Sequence, residues 1–81
     1  ETLDNVFALG TVRALTGPVA RGDAAVVSRQ LAALTALDPR LAEAYRALNA
    51  VALDLARAQG RAPIAALDAV AAALRGADRK E

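Results

Sequence analysis

The residues whose types and spacing best suit ligand chemistry lie in one run, Leu15 to Asp23, reading LTGPVARGD. It holds Thr16, Gly17, Pro18, Arg21, Gly22 and Asp23 in front of a helical pattern that starts at Asp23. The first N–H groups of a helix are unpaired, and they make that end electropositive. An arginine beside them can hold a phosphate or carboxylate bidentately. Gly17 and Gly22 leave room for a ligand to approach the backbone. A plain structural account covers the same residues: Gly17-Pro18 stops one helix and Gly22-Asp23 starts the next. Arg21-Gly22-Asp23 is also the tripeptide that integrins read, which requires an exposed extracellular loop. Asn5, on the first helical pattern, is a further candidate for contact with a ligand or a neighbouring domain.

Other residue types fit chemistry less well. Tyr45 can donate a hydrogen bond to a substrate, but on a leucine stripe it reads as core with its hydroxyl near the surface. Asp54 and Arg57 read as a solvated helix pair, as do Glu43 and Arg46. Asp4, Asp68 and Asp78 show no pairing suited to two-carboxylate catalysis. Cysteine and histidine are both absent. That removes thiolate nucleophiles, disulfides and the commonest general base and metal ligands, so no metal site is expected. The one lysine, Lys80, stands beside the C-terminus.

The elements that position these residues are helices. Of the 81 residues 56% are hydrophobic and 2% aromatic, so the apolar excess is aliphatic. Alanine and leucine dominate, both strong helix formers, and β-branched and aromatic residues are too sparse for a sheet. An apolar excess in a domain this small predicts that some apolar surface meets a partner. The formal net charge of +1 and the scattered arginines argue against nucleic acid, which demands a basic stripe. No run approaches the ~20 apolar residues that span a bilayer. The first residues show no signal peptide, and a cytoplasmic location is expected.

Four helices are predicted. The first runs from about Leu3 to Leu15, with Thr2 as cap and Leu3, Val6, Phe7 and Ala14 on one face. Gly17-Pro18 ends it. The second starts at Asp23, carries Val27, Leu31 and Leu34 as its stripe, and stops before Asp38. Asp38-Pro39 is a cap followed by proline at the first helical position. It opens a third helix to Gln59, with Leu41, Tyr45, Leu48, Ala52 and Leu55 as the stripe and Gly60 as the stop. The fourth begins at Pro63, carries Ile64, Leu67, Ala71 and Leu74, and ends at Gly76 before a polar tail, residues 77–81. Short connections favour antiparallel neighbours and an all-α bundle of about four helices.

ALTGPVARGDAAVV, preceded by ETLDNV and followed by QLAAL and AYRALNAVALDLA, resembles one bacterial domain type. This is the C-terminal helical domain, of uncharacterised function, in NADP-dependent oxidoreductase-like proteins. Their layout is similar to that of pyrroline-carboxylate reductases and 6-phosphogluconate dehydrogenases. The resemblance covers most of the chain and is most specific from Leu15 to Asp23. It implies a 6-phosphogluconate dehydrogenase C-terminal-like helical fold for residues 1–81. It also implies an upstream Rossmann domain in cis that binds NADP or NAD, because this chain holds no strand followed by G-x-G-x-x-G.

In such proteins the helical domain closes the active-site cleft and pairs two subunits, so a homodimer through apolar helix faces is expected. Asn5, Thr16-Gly17-Pro18 and Arg21-Gly22-Asp23 match the motif and become the cleft candidates. A histidine is usual where this chain has Gln30, a departure that removes an acid–base group from that surface. The 81 residues by themselves are expected to bind no cofactor and to lack a complete catalytic set. The reading this supports is a dimerisation and substrate-cleft domain of an NAD(P)-dependent oxidoreductase. The alternative is a non-enzymatic helical interaction or oligomerisation module, which the same apolar stripes would serve.

Overall fold

A computed structural model describes the backbone of residues 2–76 and the side chains of residues 10–76. The tail 77–81, the side chains of Leu3, Val6 and Phe7, and the Thr2 cap lie outside the described residues. The fold is a small all-α bundle of α1 (Thr2–Arg21), α2 (Ala24–Leu37), α3 (Pro39–Gln59) and α4 (Ile64–Gly76). Among the described residues there is no strand, and no helix is long and apolar enough to cross a membrane.

The helix starts follow from capping chemistry. Asp23 stands before α2, and its carboxylate accepts the Val26 N–H at 3.3 Å. Asp38 serves two helices at once. Its N–H bonds to Leu34 O at 2.9 Å, closing α2. Its carboxylate accepts the Arg40 N–H at 2.9 Å, opening α3 with Pro39 in the first turn. The Arg40 side chain bonds the same carboxylate, and these two contacts hold the Asp38 pKa below its ordinary 3.8. Gly60, at φ 68°, ends α3 in the left-handed conformation that glycine tolerates best.

The end of α1 departs from expectation. It was predicted at Leu15, with Gly17-Pro18 as the stop, but the helix runs on to Arg21 with Pro18 inside it. The stop lies one turn later. The N–H of Gly22 bonds Val19 O at 3.0 Å, and that of Asp23 bonds Pro18 O at 2.8 Å. This is a Schellman closure with Gly22, at φ 75°, as the left-handed residue. Pro18 is buried beside Val19, which is fully buried, so packing offsets the lost helix bond.

The core is formed by Val19 of α1, Val27 and Leu31 of α2, Tyr45 and Leu53 of α3, and Leu67, Val70 and Leu74 of α4. Helix α3 packs against each of the other three. Its buried register is Ala42, Tyr45, Asn49, Leu53 and Ala56. The predicted stripe was rotated from this. Tyr45 is buried and Ala52 half-buried, but Leu41, Leu48 and Leu55 face outward. The helix carries apolar residues on two faces, and the small ones, Ala42 and Ala56, turn inward where neighbouring backbones approach. The resulting slab measures 42 × 32 × 16 Å. The outward face of α3 leaves Leu41, Leu48, Val51 and Leu55 exposed.

Candidate functional site

Proline has no N–H, so Pro18 leaves the carbonyl of Ala14, four residues earlier, without its helical donor. Gln30 of α2 supplies one: its Nε2 donates to Ala14 O at 3.2 Å. The other end of the same amide, Oε1, accepts the Tyr45 hydroxyl of α3 at 2.7 Å. One glutamine therefore ties the proline turn of α1 to α2 and α3. Tyr45 is 2% exposed, and burial raises its hydroxyl pKa from the ordinary 10.0. It therefore acts at neutral pH as a proton-bearing donor rather than a base.

Tyr45 also walls an apolar hollow of about 140 Å³, lined by Leu15, Leu34, Leu41, Ala44, Tyr45 and Leu48. One turn along α3, Asn49 is fully buried, and its Nδ2 donates to Tyr45 O at 3.1 Å. Its Oδ1 accepts no hydrogen bond from the described residues. Sequence reasoning singled out neither Gln30 as a bridge nor Asn49 as a buried polar group. The signal for Gln30 was a proline four residues after a carbonyl that then needed a donor. No local signal marks Asn49, because its burial depends on the rotation of α3.

The predicted site residues have these places. Thr16 is half-buried, and its Oγ1 donates to Val12 O at 2.7 Å, a bond within α1. Arg21 is exposed in the last turn of α1, where the helix dipole favours a cation. Its side chain folds back over Gly17, and a Cβ there would lie 3.1 Å from Arg21 Nη1. Pro18 is buried in α1, and Gly22 packs against α4. Asp23 caps α2. Thr16, Gly17 and Arg21 thus share the last turns of α1, just past Ala14, whose carbonyl Gln30 holds. The side chain of Asn5, also on α1, lies outside the described residues.

Two consequences follow for chemistry at this junction. The Asp23 carboxylate already occupies the start of α2, so an anion bound nearby would depend on the Arg21 guanidinium rather than on that helix end. The Arg21-Gly22-Asp23 tripeptide is not an exposed loop, since it joins one helix end directly to the next.

The paired acids and bases of the sequence are also rearranged. Arg57 pairs at 3.0 Å with Asp68 of α4 rather than with Asp54, and Arg46 Nε donates to Leu74 O at 2.9 Å. Both contacts tie α3 to α4. Among the described residues no group of three or more His, Cys, Asp or Glu is placed to hold a metal ion.

A family model described as a domain of unknown function (DUF2520) matches residues 1–52, well over half of the chain. The chain belongs to this family. The match takes in α1, α2, the first two-thirds of α3 and every residue of the Gln30–Tyr45 bridge, and it stops before α4. The match bears out the coarser part of the resemblance, an uncharacterised domain, and carries no statement about oxidoreductases or a Rossmann partner. No curated protein and no solved structure matches the chain.

Proposed function

We propose that this domain closes the substrate cleft and pairs subunits in an NAD(P)-dependent oxidoreductase, with the cofactor bound by a Rossmann domain in cis. The observation that carries the reading is the α1–α2 junction. The run Leu15–Asp23, whose sequence resembles the helical domain of such enzymes, lies inside the family-matched residues. It is braced there by the Gln30 bridge and the Gly22 closure. A cleft wall must hold its geometry while substrate enters, and residues on braced helices do so better than residues on loops.

In this reading Arg21, exposed at the helix end, holds an anionic group of substrate or cofactor, with Thr16 and Asn5 supplying hydrogen bonds. Arg21→Ala in the full natural protein is expected to weaken substrate or cofactor binding by about 10-fold or more, the loss of one charge-assisted contact. Steady-state kinetics and cofactor titration measure it. Unchanged constants would remove Arg21 from the site.

The uncovered face of α3 favours a second reading, a non-enzymatic helical interaction module. It predicts the same pairing of helices but no cofactor on the full protein.

A further inference from the structure

We propose that the outer face of α3 is a self-pairing seam on which two copies of this chain lie antiparallel, with the two-fold axis beside Ala47. The proposal deepens the pairing half of the proposed function and rests on it.

Leu41, Ala44, Leu48, Val51 and Leu55 recur at alternating spacings of four and three residues. That is the spacing of the inner positions of a heptad, which meet a partner helix. Leu41 is 44% exposed, Leu48 36%, Val51 59% and Leu55 59%. The opposite face of α3 carries the core; Leu15 of α1 and Leu34 of α2 flank the Leu41–Leu48 end of this one, and Val51 and Leu55 stand exposed beyond them.

The edge of the seam selects the occupant. Arg40, Ala47 and Asp54 follow one another at seven-residue intervals along one border. An antiparallel two-fold at Ala47 sets Arg40 of one copy against Asp54 of the other, twice, with the smallest side chain at the axis. A parallel pair would set Arg40 against Arg40 and Asp54 against Asp54. Asp54 has no hydrogen bond or ion pair among the described residues. Arg40 spends Nε and Nη2 on Asp38, so Nη1 remains for the second copy.

The same rotation lays Leu48 of the second copy over Ala44. Ala44 is the small residue on the wall of the 140 Å³ hollow, and Leu41 and Leu48 border it too. The hollow is then the hole that the second copy's Leu48 fills as a knob.

The chain has no cysteine, so single cysteines can be placed without background. Ala47→Cys in the 81-residue chain is expected to link into a covalent dimer with a short bis-maleimide. Arg40→Cys is not, because antiparallel copies place those positions 14 residues apart along the helix, about 21 Å. Leu48→Asp is expected to raise the dimer dissociation constant roughly 100-fold in sedimentation equilibrium, with helical circular dichroism retained.

A monomeric wild-type chain would overturn this seam and the pairing half of the proposed function together. A dimer that survives Leu48→Asp, or that links at position 40 and not at 47, would overturn the seam and leave pairing standing. Cofactor binding is read separately and is unaffected by either result.

Discussion

Replacing Gly22 with alanine is expected to lower stability by about 2–4 kcal/mol, the largest effect of any single methyl group added to this chain. Two causes add. Gly22 sits at φ 75°, where a Cβ meets its own backbone. A Cβ there would also stand 2.7 Å from the Ala66 Cβ of α4, inside any tolerated contact. Because the glycine closes α1 through the bonds to Val19 O and Pro18 O, the helix end cannot shift away without breaking its own closure.

Gly60 provides the control. Its φ of 68° is similar, but a Cβ added there would meet nothing within 4 Å. Gly60→Ala is therefore expected to cost about 1–2 kcal/mol, the backbone part alone. Urea unfolding of the two variants separates the causes, and Ala66→Gly placed in the Gly22→Ala chain should recover part of the difference. Equal losses from both glycines would mean that the approach of α4 contributes nothing.

Gln30→Leu is expected to cost about 1–3 kcal/mol, because it removes a donor and an acceptor that serve two different helices. The Tyr45 hydroxyl, on a side chain 2% exposed, would lose its acceptor, and the Ala14 carbonyl would lose the donor that Pro18 cannot supply. Tyr45→Phe should cost less, since the half-buried Gln30 amide can turn to water. The double variant should then fall short of the sum, and a double-mutant cycle measures that coupling.

Gln30→His is a sharper probe. A neutral imidazole also carries one donor and one acceptor, so it can keep both bonds. Protonation removes the acceptor that Tyr45 needs, so folding favours the neutral ring and depresses its pKa. The stability it contributes is present above the ordinary histidine value of about 6.5 and is lost as pH falls below it. Wild-type chain, with glutamine, should show no such step.

The helix boundaries that capping chemistry announces were legible from residue types alone. Asp23, Asp38-Pro39 and Gly60 each stand where the structure has a cap. The end of α1 was not legible, because a proline normally stops a helix. Here burial at Pro18 and Val19 and a donor to the Ala14 carbonyl from 16 residues away, Gln30, let it continue for another turn.

The face of α3 was not legible either. Its apolar residues fit two helical registers, and local periodicity cannot choose between leucines inward and alanines inward. The choice was made by how closely α1, α2 and α4 approach. The candidate run Leu15–Asp23 was correctly singled out as unusual. Much of what makes it unusual is structural, since Gly22 closes a helix, Asp23 caps the next and Thr16 bonds within α1. Arg21 is the residue of the run whose charge remains turned to solvent at the junction.

The central claim, a cleft domain of a nicotinamide-dependent enzyme, is tested most directly by titrating NADPH into the full natural protein while following its fluorescence. The 81-residue chain serves as the control. Saturable binding by the full protein and none by the chain alone is the expected result. No binding by either would contradict it and leave the interaction module as the reading of this fold.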